Sequence, residues 1–253
     1  MKTFSILMKS KTNNKLIKRI IDISFKKREG HIPSSLSILD ILYVLYDDIL
    51  QNKHHFVLSK GHASLGLYAI LEEFGLLDGN LESFCDFESN LGGHPSNKLK
   101  NVSASTGSLG HGLPIGLGMA IGEKIKKTDK KVFVLIGDGE SNEGTIWESA
   151  LLASNHNLNN LYCIMDYNHS NDRSLILNDV ISKFKSFNWE CINVDGHNKN
   201  ELHKALNFES QNKPVFILAN TIKGKGCKIM ENNPAWHHKS PNQEEYLMIM
   251  KEL

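Results

Sequence analysis

Residues Lys131 to Asp172, KVFVLIGDGESNEGTIWESALLASNHNLNNLYCIMDYNHSND, decide the fold. Val132 to Ile136 is a short, continuous apolar run rich in β-branched residues, the mark of a parallel strand buried on both faces. It ends in Gly137-Asp138-Gly139. Ile146, Ala150 and Ala153 then recur at helical spacing, with Trp147 and Leu151 beside them, which predicts a helix over Glu143 to Asn155. A second apolar run, Leu161 to Met165, ends in Asp166-Tyr167-Asn168. Strand, helix and strand make a right-handed crossover with parallel, neighbouring strands. Asp138 and Asn168 then both stand at strand carboxyl ends, the edge where open α/β sheets bind ligands.

One carboxylate and one amide oxygen, beside glycines that admit backbone at close range, suit magnesium that completes its octahedron with phosphate oxygens and water. The same residues have ordinary readings too, Asp-Gly as a turn and Asn-His as a loop. The placement of both at strand ends favours the site.

The 253 residues suffice for one large α/β domain. No Gly/Ser-rich linker or internal repeat divides them. We read a single domain over 1–253, with 1–13 as an N-terminal lead and 227–253 as a C-terminal extension. A net charge of +1, without a long basic run, argues against nucleic-acid or membrane-surface binding driven by charge. No apolar run approaches membrane-spanning length, and Phe4 to Met8 is too short for a signal-peptide core. The 4 cysteines (Cys85, Cys163, Cys191, Cys227) lie far apart without a CxxC. That fits a reducing, cytoplasmic setting and not a disulfide scaffold or zinc site. Among the 12 histidines, the pair His54-His55 reads as solvated loop residues.

Outside the central unit, Asn14 to Arg28 is an amphipathic helix with basic residues near its end. Glu29-Gly30-His31-Ile32-Pro33 breaks it. Ser37 to Ile49 is a second, largely buried helix, capped by Ser35 or Ser37. Phe56 to Ser59 is strand-like, and Lys60-Gly61-His62-Ala63-Ser64 leads into a helix over Leu65 to Phe74. His62 thus sits where helix N-termini attract anions; a solvated turn histidine is the ordinary alternative. Leu91-Gly92-Gly93-His94-Pro95 is an irregular loop. In the helix Leu113 to Lys126, the spacing of Gly112, Gly116 and Ala120, with Gly118 and Gly122 alongside, implies close packing on another backbone. These glycines are no Rossmann fingerprint, since no apolar strand precedes them and G-x-G-x-x-G is out of register. Ser174 to Phe187 is a loop and short helix, Glu190 to Val194 a strand, Lys199 to Leu206 a helix, Val215 to Asn220 the last strand, and Gln243 to Leu253 a final helix. Lys223-Gly224-Lys225-Gly226 is not a P-loop, because GK[ST] is absent.

Taken in order, the motifs resemble the transketolase family, specifically the amino-terminal, diphosphate-binding half found in split transketolases. They are Gly30-His31 with Ser37, Leu58-Ser59-Lys60-Gly61-His62-Ala63, Gly93-His94-Pro95, Thr106-Gly107-Ser108-Leu109-Gly110, Gly137-Asp138-Gly139 with Glu143-Gly144 and Trp147-Glu148, Asp166-Tyr167-Asn168, and Lys223 to Gly226 with Trp236-His237. The resemblance covers about residues 14 to 240. It implies the thiamine diphosphate-binding fold, with a mostly parallel sheet flanked by helices on both faces. It implies magnesium held by Asp138, Asn168 and the Ser170 carbonyl, and a cofactor set of His62, Gly107, Leu109, Gly137, Asp138, Gly139, Glu140, Asn168 and His237. His31, His62, His94 and His237 match histidines lining the channel to the thiazolium, and Glu143 matches a glutamate between paired active sites. The chain departs from the pattern at Ile32 to Ser35, at His111 and over His169 to Arg173.

The implied function is transfer of a two-carbon ketol unit between sugars or sugar phosphates, with histidines as acid–base groups. The alternatives are the alpha subunit of a 2-oxoacid dehydrogenase or decarboxylase, which shares Gly-Asp-Gly and Asn, and a non-catalytic cofactor-binding subunit. The histidine set and Ser59-Lys60-Gly61-His62 argue against the first, and the intact site residues against the second. In the family a second α/β domain supplies the glutamate that activates the cofactor's aminopyrimidine. With the chain ending at Leu253, that domain is expected on a separate C-terminal subunit, in a two-plus-two assembly.

Overall fold

A computed structural model of the chain describes residues 2–51, 53–172 and 175–253, with side chains from residue 13 onward. Arg173 and Ser174 lie outside the described residues, as do the side chains of Phe4 to Met8. The helices are α1 (Lys2–Lys27), α2 (Ile32–Ser37), α3 (Leu39–Val44), α4 (Ser64–Glu73), α5 (Gly112–Ile125), α6 (Gly144–Asn155), α7 (Val180–Ser186), α8 (Lys199–Leu206) and α9 (Gln243–Glu252). The strands are β1 (His55–Leu58), β2 (Val132–Gly137), β3 (Leu161–Tyr167), β4 (Glu190–Asp195) and β5 (Val215–Asn220).

The strands form one sheet in the order β1-β2-β3-β5-β4, and every pairing among them is parallel. Val134 stands opposite Cys163, and Gly137 opposite Asp166, so the ends of β2 and β3 lie side by side. The apolar runs are continuous because each face of the sheet has its own core. Phe133, Leu135, Tyr162 and Ile164 join α1 to α4, α8 and α9 on one face. Val132, Val134, Ile136, Leu161, Cys163 and Met165 join α5, α6 and α7 on the other. Cys227, Met230, Trp236 and Ile249 lie in the first core, so the segment 227–253 packs into the domain.

The close approach implied by the glycines of α5 is made to the sheet. A Cβ on Gly112 would lie 2.6 Å from Ser59 Cα, and one on Gly116 would overlap Val134. Gly118 and Gly122 face open space instead.

Three expectations are corrected. The helix expected to begin at Ser37 starts at Ile32, with Pro33 in its first turn, where proline's missing N–H removes nothing. It is interrupted at Ile38 and continues as α3 and a π turn over Leu45–Ile49. Neither Ser35 nor Ser37 caps it; the positions flanking the two helices are His31 and Ile38, without side-chain caps. His54 and His55 are not solvated loop residues. His54 Nδ1 accepts from the Lys131 N–H at 3.1 Å, and His55 Nε2 lies 3.2 Å from Glu123, so the pair ties the start of β1 to β2 and α5.

The two kinds of glycine in α5 give a test. Gly112→Ala is expected to lose about 1–3 kcal/mol of stability by overpacking against Ser59. Gly118→Ala is expected to gain up to about 1 kcal/mol from helix propensity. Urea denaturation of both variants measures the difference, and equal effects would contradict the packing described.

Candidate functional site

The carboxyl ends of β1, β2, β3 and β5 converge, and the loops leaving them carry the candidate residues. Lys60 follows β1 and is buried, with its ammonium on the buried carboxylate of Asp166 at the end of β3. Asp166 also accepts hydrogen bonds from Ser37 Oγ at 2.7 Å, from Asn168 Nδ2 at 2.9 Å, and from the hydroxyl of Thr221 beyond β5. Burial opposes the charge on Asp166, but Lys60 and these donors outweigh it and hold the carboxyl below its ordinary range.

Because Asn168 spends its amide nitrogen on Asp166, its oxygen is turned the other way. That oxygen lies 2.5 Å from Ser170 Oγ, which in turn lies 3.1 Å from Asp138 Oδ1. Asp138 and Asn168 are both buried. The two oxygens expected to ligate magnesium are thus brought to one hydroxyl. No group of three His, Cys, Asp or Glu side chains arranged to hold a metal occurs among the described residues. One carboxylate with amide and carbonyl oxygens suits a hard cation that takes further oxygens from its ligand and from water.

Three of the four candidate histidines meet directly. The ring of His31 lies 5.1 Å from that of His62 and 5.7 Å from that of His237. His94 stands over Gly107, where a Cβ would lie 2.9 Å from its ring. Gly107 has φ +146, a conformation that favours glycine, so the turn and the ring require each other. Burial, then Lys60 and His31, push His62 down to about 2. Burial, then His238 and His237, push His31 down to about 4. At neutral pH both are neutral imidazoles.

Lys223, after β5, is buried and pushed down to about 8 by burial and by Lys60. Its ammonium lies 3.1 Å from His237 Nδ1, which places the ring hydrogen of His237 on Nε2. The backbone oxygen of Ser34 accepts from Lys60 at 3.3 Å, while the Ser34 hydroxyl is buried without a partner. A buried cation with no carboxylate paired to it among the described residues, an orphaned hydroxyl and neutral imidazoles together fit an anionic ligand rich in oxygen.

Glu140 faces inward. Its carboxylate accepts from the N–H groups of Gly110 (2.9 Å) and Gly137 (3.1 Å) and from Ser59. Burial raises its pKa against these bonds. Glu143 and Leu109 are exposed beside this latch, and Glu143 Cβ packs against Gly110. Gly139 donates to Asp138 at 2.7 Å. Sequence reading did not single out Lys60, Asp166, Lys223 or Ser34 as site residues. Lys60 and Lys223 stand in quoted motifs, but their burial depends on contacts distant in sequence. His238 was also missed; its ring lies 4.4 Å from that of His31, and its Nε2 lies 2.9 Å from Glu29.

The depressed histidines have a consequence for stability. Above about pH 6.5, His62 is neutral in folded and unfolded chains alike. Below it the unfolded chain takes up a proton that folded His62 refuses until about pH 2. Stability therefore falls as pH falls through this window, by up to about 1.4 kcal/mol per pH unit from His62. His62→Gln should flatten the decline between about pH 6.5 and about pH 4.5 in urea denaturation. An unchanged slope would mean that His62 is protonated in the folded chain.

The family model of transketolase, thiamine diphosphate binding domain, matches residues 10–253. One of the two subunits of an apulose-4-phosphate transketolase from Phocaeicola vulgatus is 33% identical, covering 93% of this chain and 90% of the relative. A 6-deoxy-6-sulfo-D-fructose transketolase subunit of Clostridium sp. is 34% identical, covering 88% of each. The crystal structure of transketolase from Campylobacter jejuni superposes with a TM-score of 0.86 at 30% identity; it covers 95% of this chain, which spans 41% of that protein's length. The chain belongs to the transketolase family, and its fold is that family's thiamine diphosphate-binding domain.

Proposed function

We propose that this chain is the diphosphate-binding subunit of a two-chain transketolase, transferring a two-carbon ketol unit between sugars or sugar phosphates. The observation that carries the reading is the anion cradle: buried Lys223, the orphaned Ser34 hydroxyl and neutral His62 and His237, set beside the oxygens of Asp138 and Asn168. Asp138, Asn168 and the Ser170 carbonyl would hold magnesium. Lys223, His62, His237 and Ser34 would take the diphosphate, and Gly107, Leu109, Gly137 and Gly139 would let the cofactor approach. Glu140 serves them by holding Gly110 and Gly137 in place. When bound, thiamine diphosphate supplies the electron sink for carbon–carbon cleavage. His31 and His94 would take protons from substrate hydroxyls and return them, a task for which a neutral imidazole is suited.

Two relatives are named as subunits and are matched over most of their length, which supports a separate partner. We infer that a C-terminal subunit brings the pyrimidine-binding domain and its activating glutamate, in a two-plus-two assembly with Glu143 at the junction. The exposure of Glu143 and Leu109 supports this. The four free cysteines support a cytoplasmic setting, and no helix among the described residues is long and apolar enough to cross a membrane.

Asp138→Ala removes the charged ligand and should weaken thiamine diphosphate binding in the presence of magnesium by at least about 100-fold. Calorimetry measures this, and an affinity equal to that of the unaltered chain would sink the assignment. The partner requirement is tested by hydrogen–deuterium exchange at the thiazolium carbon of the bound cofactor. The loaded chain alone should exchange near the free-cofactor rate, and the partner should accelerate it by orders of magnitude. Fast exchange by the chain alone would place the activating acid within these residues.

A further inference from the structure

The turn that carries Lys223 is gripped from behind by a histidine that none of the roles above uses. His197 follows Gly196 at the carboxyl end of β4. Its Nε2 accepts a hydrogen bond from the Ile222 N–H at 2.9 Å. A ring nitrogen that accepts from a backbone N–H bears no hydrogen, so the proton sits on Nδ1. Nδ1 lies 3.1 Å from Asp40 Oδ2 and donates to it. Both side chains are nearly buried, at 12% and 9% exposure, so water does not compete freely for either bond. Asp40 is fixed in turn by Asn13 Nδ2 at 2.9 Å and by Lys199 at 3.6 Å.

The approach of His197 to the turn is also built into the backbone. Gly196 donates to the Asn220 oxygen at 2.7 Å, and a Cβ on Gly196 would overlap the Thr221 methyl. Other bonds fix the residues around Ile222. Thr221 reaches Asp166, Gly224 N–H donates to the Pro33 oxygen at 3.0 Å, and the Lys223 oxygen accepts from Asn232 at 2.9 Å. At Ile222 itself, the N–H is held by the imidazole. The residue that follows is Lys223.

We propose that Asp40 and His197 form a carboxylate–imidazole clamp that positions Lys223 for the anionic ligand. This is a positioning role, since neither side chain faces the cradle, and it rests on the reading that Lys223 takes the diphosphate. The carboxylate fixes the tautomer, the tautomer fixes the acceptor, and the acceptor fixes the backbone from which the lysine extends.

The test measures the binding of thiamine diphosphate with magnesium to this chain by calorimetry. It also follows amide hydrogen exchange over residues 220–226. His197→Ala and His197→Leu both remove the acceptor, and the leucine keeps the packing if the alanine variant does not fold. Each should weaken cofactor binding by about tenfold and speed exchange at Ile222. His197→Gln offers a donor to Asp40 and an acceptor to Ile222, and should bring the affinity back to within about threefold. In a Lys223→Ala background the His197 substitutions should cost nothing further, because the lysine they position is gone. Unchanged affinity in the His197 variants, or losses that simply add to that of Lys223→Ala, would overturn the clamp while leaving Lys223 in its role. Unchanged affinity in Lys223→Ala alone would overturn the role of Lys223 and, with it, the clamp's purpose. Exchange at Ile222 would still report whether the hydrogen bond exists.

Discussion

Asp166 has no access to solvent, and its carboxylate gathers four side-chain donors: Ser37 from α2, Lys60 from the end of β1, Asn168 from the end of β3 and Thr221 from the end of β5. A buried charge in this position is tolerable only if nearly every lone pair is satisfied; removing one partner typically costs about 3–5 kcal/mol. The consequence is geometric. Strand ends and a helix that could otherwise drift are drawn to one point, and the Asn168 amide is oriented so that its oxygen turns toward Asp138. The ion pair is thus less a source of net stability than the device that registers the site.

The electrostatics of the cradle follow from that arrangement. The ammonium of Lys60 is compensated by Asp166, yet it still acts on its neighbours and depresses His62 and Lys223. Lys223 has an imidazole nitrogen as its partner instead of a carboxylate. The same burial that keeps the histidines neutral leaves the region with more donors than acceptors. A diphosphate with magnesium would reverse the imbalance without moving the strands, because the cation has its oxygens on the β2 and β3 side and the anion its donors on the β1 and β5 side.

Much of this was legible in the sequence where the signal is local. Val132 to Ile136 and Leu161 to Met165 are strands because their apolar runs are too short for helices and end in turn residues, and the structure pairs them in parallel as expected. Lys199–Leu206 and Val215–Asn220 were likewise bounded by their own residues. The misreadings come from residues with two local uses. Pro33 reads as a breaker but stands in a helix's first turn, and Ser37 reads as a cap but donates to a carboxylate 129 residues away. The histidines of the site could be named because glycines and prolines surround them in family motifs. Lys60, Lys223 and Ser34 could not, because what distinguishes them is burial and the presence or lack of a partner. Both are properties of the assembled strand ends and leave no trace in the neighbouring sequence.

The exceptions to ordinary folding rules lie on one edge of the sheet. A lysine is buried with no carboxylate paired to it among the described residues, a serine hydroxyl is left unpartnered, and two imidazoles are held far below their usual pKa. Each of these disfavours the folded chain: an unsatisfied buried hydroxyl alone costs about 1–3 kcal/mol. Elsewhere the rules are kept: the two cores are apolar, α9 carries a capping box, and Arg19 is doubly held by Glu72 and Glu82. Local conflicts confined to one place, in a chain otherwise consistent, are the pattern expected when a region is shaped for a ligand and not for the empty fold. The sign of the conflict specifies the ligand, since surplus donors and uncompensated positive charge are relieved by an oxyanion and aggravated by a cation. The pair of oxygens that a cation can use, on Asp138 and Asn168, lies at the adjoining strand ends. An oxyanion that arrives with its own divalent ion satisfies both halves at once, and either alone would leave the other half in conflict.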